Sequence, residues 1–341
     1  MALAASSLLA MLSIFGRGQL LIEKKGALAL TSLILHHYPQ SPVAHKVRLA
    51  LGIAKASWQS VEIPRLPPKP LLMPLTAGYR RTPVLQIGAD IYCDSQNIAL
   101  AIEQSGQPAR LFPDQTFGMA MMISAWAETT LFDLAVRIVL TNALGQVPDD
   151  FIRDRGSLYF EPNWTEAGLR AGLPSVISEM HAALGLADAQ LAAGNGIYLG
   201  GQKPCYGDAS LAYICWFLRG RWDGGGEMLS HYPALCAVEA GLAACGEGVS
   251  ENLDAIDALA IAKAATPQSP IGIMNGGSGF AVGQTVRIRP KGNTADPDVI
   301  GRLRYCDQMR VSIDHQHDEV GEIAVHFPVL GYVVTPADAP A

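Results

Sequence analysis

The sequence predicts three folded units in series: an α/β unit, an all-α domain and a small all-β, barrel-like domain. In the first hundred or so residues, short β-type runs alternate with helical segments and end in a β-hairpin and a helix. Between residues 115 and 265, apolar residues recur at helical spacing. After residue 265 the chain changes to turn residues and then to short valine- and isoleucine-rich runs, which are typical of strands.

These composition shifts also predict the domain boundaries. We expect the α/β domain over residues 31–107, the helical domain over 108–265, a linker over 266–279 and the β-rich domain over 280–335. Residues 1–30 are expected to be a flexible N-terminal extension. Their apolar run is shorter than the ~20 residues that span a bilayer, so no stable membrane span is predicted.

The elements of the α/β unit follow from its hydrophobic pattern. The predicted strands are residues 33–38, 58–63, 83–87 and 91–92, and the predicted helices are residues 43–54 and 95–104. Between the second and third strands lies the sequence PRLPPKPLLMPL, where proline is too frequent for a regular helix. We therefore expect an extended surface loop there.

Charge and cysteine content exclude some classes of partner. The 341-residue chain has a net charge of −6 and no long Lys/Arg run, so nucleic acid is not an expected partner. Its six cysteines are scattered without a CxxC pair, which favours reduced thiols and a cytoplasmic location. His315 and His317 alternate on a predicted strand but lack a clear third ligand, so no metal is expected.

A candidate site lies where the first helix begins. Ser41 precedes Pro42, so the serine can cap the helix while proline occupies its first turn. A helix N-terminus offers free N–H groups and partial positive charge, which stabilise a thiolate and lower its pKa from the usual ~8.5. Ser41 has no adjacent base in sequence, so we expect it to donate a hydrogen bond to sulfur rather than to attack a substrate.

Alternative interpretations stand beside this one. Ser41 can be an ordinary helix cap, and Tyr38 at the end of the first strand is a rival source of the hydroxyl. Ser41 is preferred because the helix start adds dipole support. Farther along the same helix, Lys46 is expected to lie on a solvated face.

The stretches SPVAHKVRLALG and TPVLQIGADIYCDSQNIALAIE resemble the thioredoxin-like domain of cytosolic glutathione transferases, over about residues 33–103. The resemblance implies that Ser41 meets the glutathione sulfur, as in the serine-type classes. It also implies that Thr82 and Pro83 form the family's cis-proline element, whose backbone pairs with the tripeptide. Asp94 and Ser95 correspond to the acidic residue and serine that hold the γ-glutamyl end.

The resemblance implies an enzyme that conjugates glutathione, as co-substrate, to an apolar electrophile, with the helical domain supplying the electrophile pocket. A cytoplasmic homodimer with a detoxification role is the corresponding expectation. The β-rich C-terminus looks like the small domain appended to some bacterial and fungal relatives. The competing hypothesis is a non-catalytic binding or scaffold protein, because the proline-rich loop replaces a region where the family places further glutathione contacts.

Overall fold

The α/β unit forms as the sequence predicts. A computed structural model of the protein describes residues 32–274, 279–292 and 295–338, so the predicted extension 1–30 lies outside the described residues. The first elements are β1 (Leu33–His37), α1 (Pro42–Ile53), β2 (Ser57–Glu62), α2 (Met73–Thr76), β3 (Val84–Ile87), β4 (Asp90–Cys93) and α3 (Ser95–Gln104). Strand β1 is buried at all five positions because it lies in the middle of the sheet, parallel to β2 and antiparallel to β3.

The proline-rich segment is not wholly extended. It ends in the single helical turn α2, where the sequence predicts no regular helix. Pro74 lies in the first turn, where the missing N–H removes no helical hydrogen bond, and Ala77 ends the helix at a φ of 52°. The expectation of an extended loop is therefore corrected for these residues.

The predicted helical domain is confirmed. Its helices are α4 (Phe117–Trp126), α5 (Phe132–Ala143), α6 (Asp149–Tyr159), α7 (Glu166–Ala192), α8 (Tyr206–Arg221), α9 (Gly225–Ser230) and α10 (Pro233–Cys245), with a π-helical turn (Ala127–Leu131) between α4 and α5. Helix α8 runs through the core, where Tyr206 and Tyr213 are fully buried. Asp208 accepts hydrogen bonds from the N–H groups of Leu199 and Cys205 at 2.8 Å and so caps the start of α8.

The chain then returns to the sheet. Strand β5 (Val249–Asn252), which falls inside the segment predicted to be all helical, pairs in parallel with β2 and leads into α11 (Ala255–Ala264). The C-terminal strands are β6 (Gly272–Ile273), β7 (Thr285–Pro290), β8 (Val299–Cys306), β9 (Arg310–His317), β10 (Gly321–Pro328) and β11 (Tyr332–Pro336). Among the described residues, no helix is both long enough and apolar enough to cross a membrane.

The C-terminal strands continue the front sheet. Strand β10 pairs in parallel with β4, with Val325 opposite Ile91. In the described chain the sheet order is β11-β7-β8-β9-β10-β4-β3-β1-β2-β5, with β6 beside β8. The β-rich C-terminus is thus confirmed as strands, and it is joined to the α/β unit by backbone hydrogen bonds. The exact domain boundaries stay predictions.

A buried polar group fastens β10 to β4. His326 Nε2 lies 3.0 Å from Asp90 Oδ1, and its Nδ1 lies 2.7 Å from Ser312 Oγ. Asp90 Oδ2 also accepts a hydrogen bond from the N–H of Gln268 at 2.7 Å. Burial lowers the pKa of His326. Burial alone would raise the pKa of Asp90, but the hydrogen bonds from His326 and from the backbone have the larger effect, so the pKa of Asp90 is lowered. A neutral imidazole therefore donates to an ionised carboxylate.

The substitution Asp90→Asn is expected to lower the free energy of unfolding by about 2–3 kcal/mol, because an amide cannot accept all the hydrogen bonds that converge on the carboxylate. The native pKa is depressed, so the stabilisation is complete above the unfolded value of about 3.9 and is lost as pH falls through the native pKa. Urea unfolding at pH 7 and pH 3 measures both effects.

The matched control is Asp318→Asn, which removes an exposed carboxylate from the turn before β10. It is expected to change stability by less than about 0.5 kcal/mol. Equal losses for the two variants would show that the Asp90 network does not fasten the C-terminal strands.

Candidate functional site

Ser41 caps helix α1 as predicted. Its Oγ accepts a hydrogen bond from the N–H of Ala44 at 3.2 Å, and Pro42 occupies the first turn. The residue is only 2% exposed, yet it lines the wall of a cavity. In the part of the chain that the structure describes, the Ser41 hydroxyl donates to no protein acceptor, so its proton is available to a ligand.

The cavity has a volume of about 780 Å³. Its front wall comes from the α/β unit and includes Tyr38, Ser41 and Thr82. Its opposite wall comes from α5, α6 and α8. The apolar side chains of that wall include Phe132, Val136, Val139, Leu140, Leu158 and Phe217. A polar group at a helix start thus faces a wall in which these apolar side chains stand beside polar ones such as Asn142, Arg155 and Arg219.

The two rival hydroxyls share this cavity. The Tyr38 hydroxyl accepts a hydrogen bond from Arg155 Nη2 at 3.2 Å. Tyr38 and Ser41 therefore line the same cavity, but the Tyr38 hydroxyl is already bonded to a cationic side chain. Only Ser41 stands at a helix N-terminus, where the backbone field favours an anion.

Thr82 and Pro83 come before β3. The peptide bond between them is cis, as the resemblance implies. Thr82 lines the cavity, whereas Pro83 is not among its lining residues. Lys69 Nζ donates to Thr82 Oγ1 at 2.8 Å and to the carbonyl oxygen of Arg80 at 2.9 Å, so a lysine of the proline-rich loop holds this turn.

Asp94 and Ser95 lie at the start of α3, and neither lines the cavity. Asp94 is the N-cap, with a φ of 72°, and accepts from the N–H of Gln96 at 3.0 Å. Its other oxygen accepts from the hydroxyl of Tyr332 at 3.2 Å. Ser95 donates to Glu128. The structure brings Ser41 and Thr82 together on one wall of the cavity. Asp94 and Ser95, the predicted γ-glutamyl contacts, instead bond to Tyr332 and Glu128. The role of Asp94 and Ser95 in binding glutathione stays a prediction.

A buried ion pair underlies α3, and it corrects the expectation for Lys46. This residue is 0% exposed and pairs with Glu128 of the π-helical turn, so it does not lie on a solvated helix face. Glu128 Oε2 also accepts from Gln96 Nε2 at 2.9 Å. The ion pair outweighs desolvation, so the pKa of Lys46 is raised and that of Glu128 is lowered. The same burial, together with Glu128, raises the pKa of Asp94.

The C-terminal region contributes two residues that sequence reasoning did not find, Tyr332 of β11 and Asp296 of the segment before β8. Besides bonding to Asp94, the Tyr332 hydroxyl lies 3.0 Å from the hydroxyl of Tyr79. Asp296 accepts two hydrogen bonds from Arg81, at 2.9 and 2.6 Å. These partners are more than two hundred positions apart in sequence, so no local motif signals them.

In the described part of the chain, metal-ligating side chains are not clustered. Within residues 32–274, 279–292 and 295–338, no group of three or more His, Cys, Asp or Glu side chains is placed to hold a metal ion. The rings of His315 and His317 stack with their centroids 6.3 Å apart. Cys93 is fully buried, and burial raises the pKa of its thiol.

Comparisons with known proteins agree with this architecture. Residues 35–108 match the N-terminal domain family of glutathione S-transferases. The solved structure of a GST-like protein from Pseudomonas syringae is 32% identical, covers 90% of this chain and 99% of its own, and superposes with a TM-score of 0.72. This similarity defines the class, and the chain belongs to the glutathione S-transferase-like family.

Other similarities are more distant. The beta-etherase LigF from Sphingobium sp. strain SYK-6 is 13% identical over 62% of this chain and 95% of its own, with a TM-score of 0.48. A rice glutathione transferase solved in complex with glutathione is 19% identical over 61% of this chain and 85% of its own, with a TM-score of 0.45. A search of curated proteins gives no match.

The substitutions Lys46→Met and Glu128→Gln are each expected to lower the free energy of unfolding by about 3–5 kcal/mol, because each leaves a buried charge without its partner. The double variant is expected to lose less than the sum of the two, since no unpaired charge remains. Urea denaturation of the four proteins measures the coupling.

The control is Asp133→Asn, which breaks the more exposed pair between Asp133 and Arg137 in the same domain. That pair is expected to contribute less than about 1 kcal/mol. Strictly additive losses in the Lys46 and Glu128 cycle would contradict a tight ion pair beneath α3.

Proposed function

We propose that the protein conjugates glutathione to an electrophilic small molecule in the cavity beside Ser41. The observation that carries this proposal is the Ser41 hydroxyl, which stands at a helix N-terminus, lines the cavity and has a proton free to donate. Membership of the glutathione S-transferase-like family supports glutathione as the co-substrate.

The chemistry follows from that placement. The glutathione thiol loses its proton to solvent, and the resulting thiolate accepts a hydrogen bond from Ser41 in the field of α1. The sulfur lone pair then forms a bond to an electrophilic carbon of the second substrate, and the electrons of the broken bond leave with the departing group. Apolar residues of α5 and α8 would hold the body of that substrate.

The remaining glutathione contacts belong to the same proposal. The backbone at Thr82 and Pro83 would pair with the tripeptide. Asp94 and Ser95 would hold its γ-glutamyl end after exchanging hydrogen bonds that they now make with Tyr332 and Glu128. A cytoplasmic homodimer with a role in detoxification is proposed on the family resemblance.

A second candidate function is a non-catalytic binding or scaffold role. It is favoured by the internal bonds of Asp94 and Ser95 and by their absence from the cavity wall. In that case the cavity binds a ligand without thiol chemistry, and the family fold is retained without its reaction.

Titration calorimetry with glutathione, combined with ultraviolet absorbance of the bound thiolate, separates the two functions. The wild type is expected to bind glutathione and to hold the pKa of its thiol below the usual ~8.5. In Ser41→Ala that pKa is expected to return toward 8.5, so that conjugation near neutral pH is slowed by up to about tenfold for each pKa unit of thiolate stabilisation that is lost.

Ser230→Ala is the matched control, because it removes an exposed hydroxyl that bonds only within α9. Asp94→Ala tests the γ-glutamyl contact and is expected to weaken glutathione binding. If the wild type produces no heat with glutathione, the transferase function is rejected and the binding role is favoured.

A further inference from the structure

A second concave site lies where α3 and α4 meet two turns of the C-terminal strands. We call it the methionine groove, and its apolar lining residues include Leu100, Met121, Met122, Ala125, Met309 and Leu330. Its volume is about 420 Å³, within the range of roughly 300–1,000 Å³ that is usual for small-ligand sites. Within the described chain it shares no lining residue with the cavity beside Ser41, so it is a separate site.

The rim of the methionine groove exposes apolar side chains to solvent. Met122 is 69% exposed and Leu330 is 57% exposed. Covering apolar surface of this kind is favourable. Methionine is unbranched and polarizable, so it adapts to the shape of an apolar ligand. In the described chain, no charged residue lines the groove, which favours a ligand with a neutral, apolar body.

One polar side chain of the groove is almost fully buried. Gln96, in the first turn of α3, is only 5% exposed and lines the groove. Its Nε2 donates to Glu128 Oε2 at 2.9 Å. An ionised carboxylate only accepts hydrogen bonds, so this contact fixes which end of the amide is the NH₂ group. The carbonyl oxygen, Oε1, is therefore the end that remains for a ligand.

The Gln96 carbonyl oxygen is an unused acceptor. Among the residues that the structure describes, none donates a hydrogen bond to it, and the only side-chain contact of Gln96 is the one to Glu128. Glu128 is itself held by donors from Lys46 and Ser95, so the amide has a fixed orientation. Donation to an anion also polarises the amide and makes its oxygen a stronger acceptor. The floor of the groove thus offers a negative partial charge, which is complementary to the hydrogen of a ligand hydroxyl.

We propose that the methionine groove is a second ligand site and that its ligand is an apolar hydroxyl compound, a phenol or an alcohol, whose O–H donates to Gln96 Oε1. The apolar body of the ligand lies between α4 and the turns that carry Met309 and Leu330. An ether of the same shape leaves the Gln96 oxygen without a donor, which costs free energy in a buried position. The inference goes beyond the proposed function and does not rest on it, because neither Ser41 nor glutathione takes part.

Calorimetric titration with a matched pair of probes tests this selection. The probes are 1-naphthol and 1-methoxynaphthalene, which have the same ring system and differ in whether the oxygen carries a hydrogen to donate. The wild type is expected to bind the naphthol about five- to tenfold more tightly than the ether, as one buried hydrogen bond provides. Equal affinities, or no binding of either probe, would overturn the inference, and this comparison depends on no variant.

Two alanine-to-tryptophan variants locate the bound naphthol. Ala125 of α4 lines the methionine groove, and Ala143 at the end of α5 lines the cavity beside Ser41; both are partly buried. Ala125→Trp fills the groove and is expected to weaken naphthol binding by at least about tenfold. Ala143→Trp is the matched control and is expected to leave that affinity unchanged. The reverse result would place the naphthol in the cavity beside Ser41 and overturn the inference.

Gln96→Met identifies the acceptor, because it keeps the length of the side chain and removes the oxygen. Its affinity for the naphthol is expected to fall to that for the ether, while the affinity for the ether does not fall. Gln104→Met is the control, since Gln104 is exposed at the end of the same helix and does not line the groove. The ratio of the two affinities is measured within each folded variant, so a loss of stability from the Glu128 contact does not change it. A ratio that stays at the wild-type value in Gln96→Met would exclude Gln96 and overturn the inference.

A second copy of this chain is the other candidate occupant of the groove, because an exposed apolar surface can pair with itself. Sedimentation velocity at low and high protein concentration, combined with the naphthol titration, separates the two occupants. Naphthol affinity that is independent of protein concentration supports an open ligand site. Affinity that falls as dimers form, together with loss of the dimer in Ala125→Trp, would assign the groove to the second copy and overturn the inference.

Discussion

The parallel pairing of β10 with β4 is the constraint on which the rest of this structure depends. Backbone hydrogen bonds between these strands turn two separate groups of strands into one sheet. The contact between Asp90 and His326 is a buried ion–imidazole hydrogen bond, and its geometry is fixed only when the two strands are in this register. As a result, the chain beyond the helical domain is part of the structure that surrounds the site.

This pairing explains the charge arrangement around the cavity. It carries Asp296 to Arg81 and Tyr332 to Asp94, so C-terminal residues bond to groups at both ends of the segment that contains β3 and β4. Without them, Arg81 would lose the carboxylate that it pairs with, and Asp94 would keep the N–H of Gln96 but lose the Tyr332 hydroxyl. The front wall therefore owes part of its charge balance to the C-terminal region, which supplies the carboxylate beside Arg81.

The elements of the front unit were predictable because local signals specify them. Proline after Ser41 sets the start of α1, and the predicted bounds of α3 match those observed. The burial of Lys46 was not predictable, since its partner Glu128 lies eighty-two positions away in a π-helical turn. Strand β5 was missed because four exposed residues give no hydrophobic pattern. For the candidate site, the sequence named Ser41 and Thr82, and both line the cavity, although their roles stay predictions. Lys69 and Arg155 line the same cavity, but only tertiary folding brings them there.

The two added strands also change how this sheet can meet other proteins. Strand β5 covers the outer side of β2, and β10 covers the outer side of β4, so neither border of the α/β unit offers free backbone groups to a foreign strand. The edge strands of the described sheet are instead β5 and β11, which are only four and five residues long. Short edge strands are poor templates for the addition of a strand from another protein. The architecture thus protects a long sheet against edge-to-edge aggregation.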